Sequence, residues 1–228
     1  MPRSHHLKQG VIFFIKWPQV GKVKTRLENS LPTSLIKKAD FTLAFYRSMV
    51  EYLLHELHGL SANIYVYFSP PEQEANVRNW LGPNNTYHSQ VEGNLGEKMH
   101  QAFRNCFEDS CDSVLIVGSD TILKAQELTS FLKLLEKEQA IVGPSTDGGY
   151  YLIGFQKTSY FAEIFQGIEW STPQVFPDTL AKFQKQGIPV QQLVSKNDID
   201  TYEDLLENNK ENQLPESCMQ VLKDFSLF

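Results

Sequence analysis

Residues 11–32 read VIFFIKWPQVGKVKTRLENSLP, an unbroken apolar run that gives way to Lys16, Lys22, Lys24 and Arg26 around one glycine, Gly21. A short apolar run bounded by turn residues is the pattern of a strand buried on both faces. The cations then fall on the loop beyond its carboxyl end. In open α/β sheets that is where ligands bind, because the connecting loops gather there.

The same strand pattern returns at 62–68 (ANIYVYF), 113–117 (SVLIV), 140–143 (AIVG) and 150–155 (YYLIGF), and more weakly at 189–194 (PVQQLV). Helical stripes lie between most of them. Leu35, Ala39, Leu43, Tyr46, Val50, Leu53 and Leu57 recur every three or four residues, predicting a helix of about six turns. Thr33 or Ser34 would cap it and Gly59 would stop it. Leu95, Met99, Phe103 and Cys106 repeat the pattern, as does 126–135. Alternating strands and helices predict an α/β fold with a mostly parallel sheet covered on both faces. No Gly/Ser- or Pro-rich linker divides the chain, so the expectation is one domain over 1–228. Its core would span about 10–206, and 207–228 would be a helix or a loosely attached tail.

Hydrophobic residues make up 41% and charged residues 21% of the 228, ordinary globular values that speak against disorder. The net charge of −6 excludes a general nucleic-acid surface, which must neutralise many phosphates, but leaves room for a small anionic ligand. Cys106, Cys111 and Cys218 show no CxxC spacing, which offers no zinc site and fits a reducing cytoplasm. The polar opening MPRSHHLKQG and the shortness of VIFFI predict neither an export signal nor a membrane span. A cytoplasmic location is therefore expected. His5 and His6 could bind a metal as a pair, although such terminal stubs are more often inert.

Four loops carry residues suited to chemistry. In KWPQVGKVKTRL, Gly21 would let backbone N–H groups approach phosphate oxygens, with Lys22, Lys24 and Arg26 adding charge; a merely solvated basic loop reads equally well. The loop lacks the GxxxxGK[ST] of a P-loop. In VGSDTIL, Asp120 could hold a hard cation such as Mg²⁺ or cap the next helix. In SKNDIDTYEDL, Asp198 and Asp200 would point the same way if extended, and Asp200-Thr201 before Glu203 and Asp204 also reads as a helix start. In GPSTDGGYYLIGF, Gly148-Gly149 could form a hairpin turn or admit a ligand close to the backbone, with Asp147 as a base.

Six segments, PQVGKVKTRL, GNLGEKMHQAF, VGSD, PSTDGGYYLIGF, IEWST and DIDTYEDL, stand in that order over nearly the whole chain. Together they resemble the DUF2064 group of proposed glycosyltransferases, within the nucleotide-diphospho-sugar transferase (GT-A) superfamily. DIDTYEDL is also similar to the D-x-D-T-x-E-D-L close of molybdenum-cofactor and lactyl-phosphate nucleotidyltransferases. The resemblance implies a three-layer α/β/α, Rossmann-like fold binding a nucleotide or nucleotide sugar, with a glycosyl or nucleotidyl group moved to an acceptor.

By the same resemblance Gly21, Lys22, Lys24, Thr25 and Arg26 would cradle the phosphates, and Asp120 and Asp200 would share Mg²⁺ or Mn²⁺. Lys24 would stabilise charge on the diphosphate. Asp147 would serve as a base for an alcohol acceptor. One departure stands out: the family usually places a proline two residues after the aspartate of GSD, whereas Thr121 and Ile122 follow Asp120 here. A loop without that proline could let Asp120 leave a metal-binding pose. A nucleotidyltransferase releasing pyrophosphate and a non-catalytic nucleotide-binding protein are the alternatives.

Overall fold

The computed structural model describes residues 7–227, so the His5-His6 pair lies outside the described residues. Strands β1 (Gln9–Lys16), β2 (Asn63–Ser69), β3 (Thr86–Ser89), β4 (Ser113–Val117), β5 (Ala140–Pro144), β6 (Tyr150–Gln156) and β7 (Val190–Gln192) form one sheet in the order β3-β2-β1-β4-β6-β5-β7. Every pairing is parallel except those of β6, which runs antiparallel to β4 and β5. The antiparallel pair exists because 145–149 closes a hairpin: Ser145 N–H donates to the Gly149 carbonyl and Gly148 N–H to the Ser145 carbonyl.

Helices cover both faces, as the apolar strand runs require. Alternation along β1 sends Val11, Phe13 and Ile15 to one side and Ile12 to the other. The first set packs against α2 (Lys38–His58) and α5 (Ala125–Leu135) through Val50, Leu53, Leu57, Leu128 and Leu132. The second meets α4 (Leu95–Glu108) and α6 (Val175–Gln186) through Met99, Phe103, Cys106 and Phe183. The remaining helices are α1 (Thr25–Ser30), α3 (Glu74–Leu81), α7 (Tyr202–Lys210) and α8 (Glu216–Asp224).

One local expectation needs correction, and two further details stand beside it. The long helix starts at Lys38 rather than after Thr33 or Ser34, because Leu35 N–H turns back to the Pro32 carbonyl and the chain enters α2 only at Lys37. At the carboxyl end the chain takes the helical alternative, α8, rather than the loose tail. Helix α2 buries a second face, Phe41, Phe45 and Met49, against Cys218 and Leu222 of α8, and burial of two such apolar faces is the dominant favourable term in docking a helix. Finally, β3 lacked an apolar run: of Thr86, Tyr87, His88 and Ser89 only Tyr87 is buried, as befits an edge strand. Among the described residues no helix is long and apolar enough to cross a membrane.

Candidate functional site

Beyond the carboxyl ends of β1 and β4 lies a cavity of about 580 Å³. Its floor is apolar, with Phe14 of β1, Ile116 of β4 and Met99 of α4. One end is strongly charged. Lys22, Lys24, Thr25 and Arg26 enter from the loop after β1, Asp120 from the loop after β4, and Asp200 from the segment before α7.

The loop after β1 reaches this end through two left-handed residues. Lys22 N–H closes a turn on the Gln19 carbonyl at 3.0 Å, with Gly21 at φ 68 and open space around its α-carbon. Glycine suits that conformation, and the free space leaves its backbone accessible. Lys24 then adopts φ 48, uncommon for a residue with a Cβ, and so turns its side chain inward as α1 begins. Lys22 and Arg26 remain exposed.

Inside, the Lys24 side chain is only 2% exposed, and its ammonium lies 2.5 Å from Asp120 Oδ1, 3.2 Å from Asp200 Oδ1 and 2.7 Å from the Ile199 carbonyl. Its three donors are thereby matched by three acceptors. Burial alone would push the Lys24 pKa down; the charges of Asp120 and Asp200 outweigh it and hold the group above its ordinary value. Arg26 Nη1 binds the other Asp200 oxygen at 2.9 Å. The cations expected to face a phosphate chain are thus divided. Arg26 engages its acid near the surface, Lys24 is sealed between two acids, and Lys22 carries no side-chain partner among the described residues.

Asp120 and Asp200 are brought together although Thr121-Ile122 replaces the family's proline arrangement. The Thr121 hydroxyl donates to Asp198, and Ile199 N–H donates to the Asp120 carbonyl at 2.9 Å. These bonds hold the GSD loop against the DID segment, a restraint proline would have supplied through its ring. Asp120 caps no helix, since α5 begins after Lys124. Asp198 and Asp200 do not act as a pair: Asp198 turns to Thr121, and burial raises its carboxyl to about 6, with the Asp120 charge adding to the rise. Asp204 fixes the approach to Asp200, accepting N–H bonds from Asp200 and Thr201 at 3.1 and 2.7 Å while Thr201 caps α7.

Of the two readings of the double glycine, the turn is what the chain forms here, and its Gly148 packs against the chain's own backbone. A Cβ on Gly148 would stand 2.5 Å from the Pro173 backbone, so the space reserved at φ 92 is filled by the chain itself. Asp147 is exposed and accepts from Gly149 N–H at 2.9 Å, a local turn bond. Neither Asp147, Gly148 nor Gly149 lines the cavity.

Sequence reasoning passed over several lining residues. Tyr46, assigned to a helical stripe, accepts from Lys16 N–H and donates to the Lys16 carbonyl, tying the end of β1 to α2. Gln90 spends its amide on the Ile15 and Tyr67 carbonyls at the ends of β1 and β2. Ser171, at φ 64, brings the IEWST segment to the cavity, and Trp170 beside it packs so closely that Gly96 has no room for a Cβ. The motifs GNLGEKM and IEWST were the available signal, but nothing in them named a role.

The sheet order, the antiparallel β6 and the cavity over the carboxyl ends of β1 and β4 define an α/β protein of the nucleotide-diphospho-sugar transferase fold. The chain belongs to the DUF2064 family, described as "Uncharacterized protein conserved in bacteria", whose profile matches residues 55–172. A "putative nucleotide-diphospho-sugar transferase" from Desulfovibrio desulfuricans G20 is similar at 32% identity with a TM-score of 0.89, over 96% of this chain and 95% of the other. The 4-diphosphocytidyl-2C-methyl-D-erythritol synthase of Anaerococcus prevotii DSM 20548 shares the fold at TM-score 0.57 and 12% identity, over 91% of this chain and 99% of that one. Rv0371c of Mycobacterium tuberculosis H37Rv, in complex with manganese, shares it at TM-score 0.50 and 14% identity, over 88% and 96%. No curated protein matches the chain.

Proposed function

We propose that the protein is a nucleotide-dependent transferase that binds a nucleotide sugar with the help of Mg²⁺ or Mn²⁺ and moves its glycosyl group to an acceptor. One observation carries this reading: two exposed cations and two converging carboxylates, drawn from three distant segments, border one end of a single cavity. The likeness to the Desulfovibrio protein over nearly the full chain supports it.

The donor chemistry fits a hard cation. Asp120 and Asp200 come within 3.2 Å of a common point, the Lys24 nitrogen, and present carboxylate oxygens. Among the described residues no group of three or more His, Cys, Asp or Glu could hold an ion. Two carboxylates with phosphate and water completing the shell is the arrangement Mg²⁺ ordinarily takes. When bound, the ion supplies neutralisation of the charge gathering on the departing diphosphate. Lys22 and Arg26 contribute to the same end as electrostatic clamps, and the open backbone at Gly21 lets phosphate oxygens approach its N–H groups. Asp147 is exposed and outside the cavity lining, so this reading assigns it no part as a base.

Nucleotidyl transfer with release of pyrophosphate is the second reading. The absence of Asp147 from the cavity lining favours it, because an acceptor that is already a phosphate needs no protein base. Incubation with nucleoside triphosphates, nucleotide sugars, Mn²⁺ and acceptor mixtures separates the cases. Nucleoside diphosphate release is the expected result, pyrophosphate release supports the second reading, and release of neither, with nucleotide still bound, shows a non-catalytic nucleotide-binding protein.

A further inference from the structure

Resting on the metal-assisted reading above, we infer that Lys24 is a resident counter-ion: its ammonium holds the position between Asp120 and Asp200 in the free protein and must leave for a divalent ion to enter. The three contacts at 2.5, 3.2 and 2.7 Å put the nitrogen where both carboxylates converge, and the side chain is sealed at 2% exposure. Two like charges brought together need a cation, and Lys24 provides one within the fold. A divalent ion seeking the same oxygens meets an ammonium already bound to them.

This arrangement couples metal to nucleotide. An ion arriving alone must displace an ammonium that forfeits three charge-assisted or carbonyl hydrogen bonds, a costly loss for a buried charge. A phosphate chain at Lys22 and Arg26 changes that balance by offering the freed ammonium anionic acceptors and the ion its remaining oxygen ligands. The left-handed backbone of Lys24, at φ 48, is a local strain that the three contacts of its ammonium help to hold, and that is relieved if the side chain leaves. Lys24 is thereby a positioning residue for the acids in one state and a phosphate ligand in the other.

Two measurements test this without reference to turnover. In the first, Mn²⁺ alone is titrated into the unaltered protein and its Lys24→Met variant, with free ion followed by electron paramagnetic resonance. Lys24→Met is expected to bind Mn²⁺ about tenfold more tightly than the unaltered chain, as removal of a competing charge within contact distance implies. Arg26→Gln deletes an equal charge beside Asp200 without clearing the point between the acids, and a distinctly smaller gain is expected. Adding Asp120→Asn to Lys24→Met should abolish the binding.

In the second, lysines of the unaltered protein are acetylated with acetic anhydride and read by peptide mass spectrometry. Lys24 should be protected relative to exposed Lys22 and become reactive as Mn²⁺ saturates the protein. Protection that persists when Mn²⁺ is bound through Asp120, or equal gains from Lys24→Met and Arg26→Gln, overturns the exchange while leaving a metal site in place. Failure of Lys24→Met to bind Mn²⁺ at all overturns the exchange and the metal assignment together, whereas nucleotide dependence is judged separately by product release.

Discussion

Thr121 donates its hydroxyl to Asp198 across 77 residues of sequence, and this bond fastens the loop that carries Asp120 to the segment that carries Asp200. Where the family commonly has proline to stiffen the GSD loop, a side-chain bond to a half-buried carboxylate does so here. Thr121→Val keeps the shape and removes the donor. We expect a loss of about 1–2 kcal/mol in urea unfolding, the usual cost of depriving a buried acceptor of its partner. Mn²⁺ affinity should fall with it, since Asp120 loses its restraint.

Stability should depend on pH through Asp198. Its folded value of about 6 lies above the ordinary 3.8, chiefly because of burial. Between pH 4 and 6 the folded protein keeps a proton that the unfolded chain has released, so stability falls as pH rises through this window. Asp198→Asn cannot titrate. Relative to the unaltered protein it should gain about 2 kcal/mol between pH 4 and pH 7, measured by urea melts at a series of pH values. An Asp198→Asn curve parallel to the original would contradict this.

Gly148 should tolerate no side chain. Alanine there places a methyl 2.5 Å from the Pro173 backbone and in a left-handed conformation besides. We expect Gly148→Ala to cost about 2–4 kcal/mol, from overpacking and backbone strain together, visible as a lowered thermal midpoint. Gly96→Ala, whose methyl would meet the Phe165 carbonyl and Trp170 at 2.7 Å, should act in the same direction on the opposite end of the same segment.

Lys22 separates binding from folding. It is exposed, lines the cavity and has no side-chain partner among the described residues. Lys22→Ala should leave unfolding within about 0.5 kcal/mol of the original. Nucleoside diphosphate affinity, measured by calorimetry, should drop about fivefold, with the difference shrinking at high salt because the contact is exposed and screened. Arg26→Ala should weaken binding similarly while also releasing Asp200.

The sequence by itself determined the layered sheet and its covering helices. VIFFI, SVLIV and YYLIGF announce buried strands, and the stripe through Val50, Leu53 and Leu57 announces a covering helix, because burial periodicity is a property of neighbouring residues. It also marked the loops that carry the charges. Only the tertiary structure decided where those charges point. Lys24 meets Asp200 across 176 residues, and nothing within either segment reveals whether an ammonium will reach toward phosphate or toward acid. The same holds for Gly148-Gly149, where a glycine admits whatever lies nearest. That neighbour is Pro173, brought in by the chain's own path, and such long-range contacts leave no periodic trace in the residues that make them.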